Sequence, residues 1–332
     1  MNDLPANDIL EGDVLGGGSQ ERTAENAQMF THETVLLDEA VEALAVRADG
    51  VYFDSTFGRG GHSSAILAKL DERGRLYATD RDLRALAAGE ALAAKDARFQ
   101  IHHAAFSSAA EWLTSLGLQG KVDGVLFDLG VSSPQIDEAE RGFSFQQNGP
   151  LDMRMNQQAG ETAAEWLARA EEDEIANVLY QLGDEKFSRR IARRIVETRA
   201  TQPLTTTFDL VRCIVEATPR RDPRKHPATR SFQAIRLHIN RELDEITTAL
   251  SQVVDLLSIG GRLVVISFHS LEDRIVKNFI RDESTTEKDF FGQPVGTARL
   301  ARVGGSIRAS AAEVSRNPRS RSAIMRVAER VA

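Results

Sequence analysis

Cysteine and long apolar runs are the two features that this sequence most lacks. Cys213 is the only cysteine among 332 residues, which excludes an intrachain disulfide and a thiolate metal cluster. No apolar run approaches the ~20 residues of a transmembrane helix, and no signal peptide is visible. The adjacent His102 and His103 would face opposite sides of a strand, and no third ligand is suitably spaced. We therefore expect a cytoplasmic protein with no membrane partner and no metal site.

The net charge of the chain is −8, and its N-terminal segment is itself acidic. The first 28 residues contain six acidic residues, one arginine and a run of three glycines. Such a composition cannot bury a core, so we predict a disordered acidic tail over residues 1–28.

Basic residues are concentrated in two later stretches. Residues 186–241 contain 14 Lys and Arg against four acidic residues, and residues 298–332 contain eight Arg against two. Basic stretches on an acidic chain predict a polyanionic partner. The four arginines within residues 189–194 could instead merely solvate a helix face. That alternative does not apply to the proline-bounded loop at residues 220–227, which has no helix face.

A glycine turn follows the apolar run that ends in Phe53, with the sequence DSTFGRGGH at residues 54–62. A helical pattern opens after the turn, and this order is typical of a nucleotide-type cofactor site. A dinucleotide fingerprint needs a third glycine, and Ser63 occupies that position. Asp54 suits the positive charges of S-adenosylmethionine, whereas a dinucleotide does not require this carboxylate. Asp80, at the end of the second predicted strand, would accept hydrogen bonds from both ribose hydroxyls.

Strands and helices alternate over the first part of the chain, which predicts a parallel sheet with right-handed crossovers. The predicted strands are residues 51–54, 75–80, 99–103 and 122–129, and the helices between them are residues 63–70, 83–94 and 107–116. Four helices then follow without strands, at residues 163–170, 173–181, 188–198 and 207–217. The alternation resumes with a long helix at 231–257, a strand at 262–267, a helix at 271–281 and a strand near 322–328.

This order predicts an α/β, Rossmann-like fold with an inserted helical domain. We assign residues 29–135 plus 232–332 to the sheet domain and residues 136–231 to a basic, substrate-binding insert. An insertion after strand four lies beside the cofactor crevice, where a substrate clamp belongs. An exposed insert also offers a surface for a homodimer, and the sequence does not decide the oligomeric state.

Polar residues end the fourth and fifth predicted strands, and they are our candidate catalytic residues: Asp128, Ser133 and His269. Enzymes that methylate exocyclic amines usually carry a short polar-Pro motif at the end of the fourth strand, as Ser133 and the proline after it would provide. Such an amine, for example N4 of cytosine, is conjugated with its ring and is a poor nucleophile. Hydrogen-bond acceptors around its hydrogens would draw its lone pair out of that conjugation. Phe268 and His269 would stack on or hydrogen-bond a flipped base. Two plainer alternatives remain: an ordinary turn at Ser133, and a helix that begins with Ser270 as its N-cap and with Asp273, three residues on, as its capping partner.

Six long blocks of the sequence carry a family resemblance. They are DSTFGRGGHS at residues 54–63, DLGVSSPQ at 128–135, RGFSFQQNGPLDMRM at 141–155, HPATRSFQAIR at 226–236, SFHSLEDRIVK at 267–277 and NPRSRSA at 317–323. Together they resemble the bacterial ribosomal small-subunit methyltransferase H family (RsmH, also called MraW). The resemblance runs from about residue 32 to the C-terminus, apart from the loop around residues 282–305.

The resemblance implies a class I S-adenosylmethionine-dependent methyltransferase fold with a helical insert. It implies methyl transfer to N4 of a cytidine in the decoding centre of 16S rRNA, with the small ribosomal subunit as partner. The cofactor-binding positions that it carries over are Gly60, Gly61, His62, Asp80, Phe106, Asp128 and Gln135, with Phe106 beside the adenine. It does not assign the group that accepts the amine proton.

Three other functions are alternatives to this one. An NAD-dependent oxidoreductase is disfavoured by the missing third glycine and by Asp54. A non-catalytic rRNA-binding assembly factor is disfavoured because the acids at the strand ends are intact. An N4-cytosine methyltransferase acting on DNA cannot be distinguished by the basic residues, since phosphate contacts carry no such information. Only the family resemblance favours rRNA.

Overall fold

A mixed sheet of eight strands organises the computed structural model, which describes residues 33–219, 226–288, 290–291 and 293–332. The strands of the described chain are β1 (Val51–Asp54), β2 (Arg75–Asp80), β3 (Phe99–His103), β4 (Val122–Asp128), β5 (Leu257–Ser267), β6 (Glu287–Lys288), β7 (Pro294–Val295), β8 (Leu300–Arg302), β9 (Ile307–Arg308) and β10 (Ile324–Arg330). Residues 34–332 form one compact unit. The predicted acidic tail and residues 220–225 of the predicted basic loop lie outside the described residues.

The strand order confirms the predicted α/β, Rossmann-like fold. The order across the sheet is β3-β2-β1-β4-β5-β10-β8, with β9 also paired to β10, while β6 and β7 pair separately. The first five strands pair in parallel, and β10 is antiparallel to its neighbours. The order 3-2-1-4-5 brings the carboxyl ends of the parallel strands to one edge, where α/β sheets bind their ligands.

Helices connect and cover these strands. They are α1 (Leu37–Ala43), α2 (Gly61–Leu67), α3 (Leu83–Ala93), α4 (Ala109–Ser115), α5 (Ser133–Asp137), α6 (Ala163–Arg169), α7 (Glu172–Gly183), α8 (Ser188–Arg199), α9 (Thr207–Ala217), α10 (Ala228–Ile239), α11 (Glu242–Leu256), α12 (Ser270–Glu283) and α13 (Ala311–Arg316), with short 3₁₀ helices at Phe106–Ser108, Ala139–Arg141 and Pro318–Ser322. None of the described helices combines the length and the apolar character that a membrane crossing requires.

The sheet packs an apolar layer on each face. Successive residues of β4 alternate between the layers, as the two-residue period of a strand requires. Leu126 joins one layer together with Val264, and Val125 and Phe127 join the other together with Val265. A strand that is buried on both faces must be apolar throughout, which explains why β4 is a nearly continuous apolar run.

The helices that follow β4 have an apolar cluster of their own. It takes one buried residue or more from each of α6 to α10, including Trp166, Ile175, Ile191, Leu210 and Phe232. Because α10 contributes to this cluster and also leads back to the sheet, no single residue separates the two parts. The boundary that we placed at residue 231 stays a prediction.

The predicted long helix over residues 231–257 is wrong, because the chain breaks at Asn240 and Arg241. Arg241 has a left-handed backbone with φ of +50°. The Asn240 side chain accepts a hydrogen bond from the Met155 N–H at 2.8 Å and donates to the Met153 carbonyl at 2.8 Å. The left-handed residue interrupts the helical hydrogen bonds, so α10 ends at Ile239 and α11 begins at Glu242.

The fifth strand begins earlier than predicted, at Leu257 instead of residue 262. Leu257 pairs with Val122, and the register then shifts before Gly124 pairs with Arg262. The intervening Gly260 has φ of +82°, which suits an irregularity inside a strand. Gly260 and Gly261, which precede the predicted strand, therefore lie within β5.

We predict that Gly142→Ala destabilises the fold far more than Gly160→Ala. Both glycines have positive φ, +74° and +76°, so both alanines carry the backbone strain of about 1 kcal/mol. A Cβ atom on Gly142 would also lie 2.4 Å from the Pro150 oxygen and 2.7 Å from the Asp152 nitrogen, whereas Gly160 has nothing within 4 Å. This clash should add about 2 kcal/mol. Urea unfolding measures both costs, and equal values would contradict the packing at Gly142.

Candidate active site

The turn between β1 and α2 depends on its glycines at the carboxyl edge of the sheet. Gly58 and Gly60 have φ of +56° and +76°, a conformation that L side chains rarely adopt. A Cβ atom on Gly60 would lie 2.7 Å from the Phe57 ring, and one on Gly61 would lie 1.9 Å from Thr34 Oγ1. Positions 60 and 61 therefore admit only glycine, and a glycine backbone can approach a ligand closely.

Asp54 ends β1 with its carboxylate buried. Its Oδ1 accepts a hydrogen bond from the Thr56 N–H at 3.1 Å, and its Oδ2 accepts one from the Ser63 hydroxyl at 2.7 Å. Burial raises the pKa of Asp54 to about 6 against the lowering effect of both hydrogen bonds, and the charge of Asp80 adds to the rise. Ser63, which stands where a dinucleotide fingerprint has glycine, thus supports the carboxylate.

Asp80 ends β2, the neighbouring strand. Its Oδ2 accepts from the Gly58 N–H at 2.8 Å, and its Oδ1 accepts from the Asp82 N–H at 2.8 Å. Burial raises the pKa of Asp80 above its ordinary value, although these hydrogen bonds oppose the rise. Phe106, directly after β3, packs edge-to-face on Phe127 with ring centroids 5.8 Å apart. An acid and an aromatic ring therefore follow adjacent strands, in the order predicted for ribose and adenine.

Asp128 ends β4 and has an unpaired oxygen. Its N–H donates to Thr56 Oγ1 at 2.8 Å, and its Oδ2 lies 3.7 Å from His62 Nδ1. Its Oδ1 is buried with no hydrogen-bond partner among the described residues. Burial raises the pKa of Asp128 well above its ordinary range, and the charges of Asp54 and Glu272 raise it further. Burial lowers the pKa of His62 to about 4, so the imidazole is neutral near pH 7 and does not compensate the carboxylate charge.

Gln135 lies in α5, and both ends of its amide are engaged. Its Oε1 accepts from the Ser132 N–H at 2.9 Å, and its Nε2 donates to Asp82 Oδ2 at 2.8 Å. Ser133 is the first residue of α5, after the N-cap Ser132, so this segment is a helix start and not a plain turn. The amide of Gln135 holds the loop after β2, and its predicted contact with a cofactor stays a prediction.

His269 is the N-cap of α12, so the predicted cap at Ser270 is wrong. The Nδ1 atom of His269 accepts from the Glu272 N–H at 3.4 Å, and Glu272 Oε1 lies 3.0 Å from His269 Nε2. In return, Glu272 Oε2 accepts from the N–H groups of Phe268 at 2.8 Å and His269 at 3.2 Å. Glutamate is long enough to reach back over the first turn, which makes this a reciprocal capping box.

The acid that we predicted as the capping partner is engaged elsewhere. Asp273 pairs with Arg326 of β10 through two hydrogen bonds of 2.7 and 3.0 Å. Glu272 is fully buried, which raises its pKa, but the hydrogen bond and charge of His269 and the charge of Arg236 hold that pKa below its ordinary value. Glu272 therefore keeps its negative charge beside the carboxyl edge of the sheet.

Three acids thus end three adjacent strands around the glycine turn, Asp54 buried and Asp80 and Asp128 partly buried. Asp54 is close enough to Asp80 and to Asp128 for their charges to interact. Carboxylates in such a group destabilise one another, and a positively charged ligand relieves the repulsion. The unpaired Asp128 Oδ1 beside the other two acids fits a cationic cofactor with a ribose.

Sequence reasoning missed two residues of this region, Asp82 and Arg141. Asp82 Oδ2 accepts from Gln135 Nε2 at 2.8 Å and from Arg141 Nη1 at 2.7 Å. The Arg141 side chain is only 1% exposed. The one local signal was that Asp82 caps α3, where its Oδ1 accepts from the Arg84 N–H at 2.9 Å. Arg141 is 59 residues away in sequence, so no local pattern reveals this pair.

Comparison with known proteins gives the family. The model of the MraW methylase family matches residues 29–331. The chain is 56% identical over 306 residues to the ribosomal RNA small subunit methyltransferase H of Thioalkalivibrio sulfidiphilus (strain HL-EbGR7), covering 91% of this chain and 98% of that protein. It is 54% identical over 307 residues to the protein of the same name from Pseudoalteromonas atlantica (strain T6c / ATCC BAA-1087), with the same coverage of 91% and 98%. Among solved structures, an rRNA methylase from Streptococcus thermophilus has a TM-score of 0.39 and 10% identity, over 89% of this chain and 93% of that one. On the family match and the two relatives, this chain belongs to the MraW methylase family.

Proposed function

We propose that this protein transfers a methyl group from S-adenosylmethionine to ribosomal RNA. The observation that carries the proposal is the unpaired, buried Oδ1 of Asp128 beside Asp54 and Asp80, at the edge of the sheet where such folds bind ligands. Membership of a methylase family and the names of the two relatives support the reaction and the substrate. We extend the proposal to N4 of a cytidine in the 16S decoding centre, following the six sequence blocks. An rRNA substrate implies a cytoplasmic protein.

The residues at the carboxyl edge fit this cofactor by charge and by shape. Asp80 would accept hydrogen bonds from the ribose hydroxyls, and Phe106 would lie beside the adenine. The backbone at Gly60 would lie against the amino-acid portion of the cofactor. Asp54 and Asp128 would attract the positive charges of that portion. When bound, the cofactor supplies an electrophilic methyl group on a sulfonium.

Asp128 is the best proton acceptor among the three candidates. When the N4 amine of a cytidine bonds to the methyl carbon, the bond from that carbon to the sulfonium would break to leave a neutral thioether, and the amine must release one of its protons. The Nδ1 atom of His269 is engaged as the cap of α12, where it accepts from the Glu272 N–H at 3.4 Å, and its Nε2 lies 3.0 Å from Glu272 Oε1. That Nε2 and Asp128 Oδ1 are both buried without a hydrogen-bond partner among the described residues, so the choice of Asp128 rests on its basicity. The hydroxyl of Ser133 is not a base near pH 7. The raised pKa of Asp128 makes its carboxylate a stronger base, which suits general-base catalysis.

The helical segment between β4 and β5, residues 136–231, is the proposed rRNA-binding surface. Its helix α8 buries Ile191 and Ile195 and exposes Arg189 and Arg190. Within the part of the chain that the structure describes, neither of these arginines has an ion-pair partner. Exposed, unpaired arginines on a packed helix suit contacts with phosphates.

The proposed reaction predicts one product. Small subunits that lack the modification, incubated with the protein and labelled S-adenosylmethionine, should carry label in N4-methylcytidine of 16S rRNA, identified by mass spectrometry of the nucleosides. Asp128→Asn should lower the turnover by about 100-fold, because it removes the proton acceptor and keeps the shape. Ser133→Ala is the matched comparison and should change the turnover little.

Each failure of this experiment has a distinct meaning. If the rRNA carries no label and a parallel reaction with DNA in place of the subunits does, the DNA methyltransferase is favoured. Cofactor binding without any label would favour a non-catalytic assembly factor. Wild-type turnover by Asp128→Asn would remove Asp128 from the mechanism and leave the rest of the proposal standing.

The raised pKa of Asp54, about 6, predicts that the affinity for S-adenosylmethionine depends on pH. Asp54 opposes a cation only when ionised, so affinity is lost as the pH falls through 6 and is complete above it. One such group gives about a tenfold gain between pH 5 and pH 7. His62, with its pKa lowered to about 4, does not titrate in this window. Calorimetric titration measures the effect, which Asp54→Asn should flatten; equal wild-type affinity at pH 5 and pH 7 would contradict it.

The exposed arginines of α8 predict a salt-dependent affinity for the small subunit. Neutralising Arg189 and Arg190 together should reduce the slope of log Kd against log salt by about 1.5, because each phosphate contact contributes roughly 0.7 to 0.9. Arg73→Ala is the control, since Arg73 is exposed just before β2, at the opposite edge of the sheet. An unchanged slope in the double variant would exclude α8 from the rRNA interface.

A further inference from the structure

Asp82 is the centre of a buried polar cluster beside the cofactor edge. Its N–H donates to Asp80 Oδ1 at 2.8 Å, so the position of Asp82 orients the carboxylate of Asp80. Its own Oδ2 takes two donors, Gln135 Nε2 at 2.8 Å and Arg141 Nη1 at 2.7 Å. A buried carboxylate of this kind depends on its donors, because leaving it unpaired costs far more than its net contribution to stability.

Arg141 joins this carboxylate to the segment that follows α5. Its Nη2 donates to the carbonyl oxygens of Met155 at 3.0 Å and Arg154 at 3.2 Å, while its Nη1 holds Asp82. Its Nε is buried and has no partner among the described residues. Only the planar fork of a guanidinium spans both targets at once. A burial this complete is unusual for an arginine, and it points to a positional role.

The contacts close into a ring that returns to the same loop. Met155 donates its N–H to Asn240 Oδ1 at 2.8 Å, and the Asn240 carbonyl accepts from Arg81 Nη1 at 2.9 Å. Arg81 is the neighbour of Asp82, so the loop after β2 is held from both sides. Neighbouring hydrogen bonds in such a buried network reinforce one another.

We propose that Arg141 is a positioning residue for cofactor binding, which sets the orientation of Asp80 through Asp82. The inference rests on the proposed function, in which Asp80 accepts hydrogen bonds from the ribose hydroxyls. Arg141 itself touches neither the cofactor nor the reacting atoms. Gln135 acts on the same oxygen of Asp82, which gives its amide a positioning role as well.

The chain offers a matched control for Arg141. Arg84 also joins the start of α3 to the segment after β4, through ion pairs with Glu138 and Glu140. Unlike Arg141, its side chain is 52% exposed, and exposed ion pairs contribute little. Arg84→Met and Arg141→Met therefore remove similar links between the same segments, one on the surface and one in the buried cluster.

The test measures affinity for the ribose hydroxyls separately from affinity for the remaining ligand. The full-length variants are titrated calorimetrically with S-adenosylhomocysteine and with its analogue that lacks both ribose hydroxyls. We expect Arg141→Met to weaken binding of S-adenosylhomocysteine about tenfold and binding of the analogue little, so that the ratio of the two affinities falls. Arg141→Lys keeps the positive charge but lacks the planar fork, so its ratio should lie between those of the wild type and Arg141→Met. Arg84→Met should leave the ratio unchanged.

The outcomes separate this inference from the proposed function. If Arg141→Met weakens the binding of both ligands equally, or changes the binding of neither, Arg141 is merely structural and the inference is overturned. If Arg141→Met does not fold, Arg141→Lys and Asp82→Asn supply the same ratio, and the same two results decide. A wild-type protein that binds neither ligand would instead overturn the proposed cofactor, and this inference with it.

Discussion

Burial, complete for Asp54 and partial for Asp80 and Asp128, of three carboxylates at one edge of the sheet is the constraint on which the remaining site depends. Burial of a charged group costs several kcal/mol of hydration free energy unless hydrogen-bonding or oppositely charged partners replace the water. For Asp54 and Asp80 the replacement is local, through the Ser63 hydroxyl and the N–H groups of the glycine turn and the loop after β2. For Asp128 it is incomplete, since Oδ1 has no partner among the described residues. The edge is electrostatically unbalanced, and a cationic ligand is what balances it.

The same constraint connects the sheet to the helices that follow β4. Those helices have an apolar cluster around Trp166, separate from the two layers on the sheet. The links back to the loop after β2 are polar: Arg141 reaches Asp82, and Asn240 accepts from Arg81. Apolar packing is tolerant of small displacements, whereas buried hydrogen bonds are directional. The polar links therefore set the position of the helices relative to the cofactor edge.

The parts that sequence could predict are those whose signals are local. The limits of β1, β2 and β3 are confirmed because apolar runs there end at polar residues, and α9 is confirmed because Thr206 and Asp209 form a capping box. The single helix over residues 231–257 is wrong because a distant segment competes for the Asn240 amide. The predicted N-cap at Ser270 is wrong because Asp273, its expected capping partner, is paired with Arg326, 53 residues away. Long-range hydrogen bonds override local patterns, and one sequence does not display them.

The charge of the chain shows the same division between local and global properties. A net charge of −8 argues against a polyanionic substrate only if the substrate responds to the summed charge of the whole chain. Salt at physiological concentration screens exposed charges beyond roughly 8 Å, so a phosphate responds to the side chains nearest to it. Arg189 and Arg190 are exposed on α8, whereas the acids at the strand ends are buried or partly buried, where their charges would act on a bound cofactor. An acidic protein can therefore present a basic surface to RNA and an acidic site to a cation.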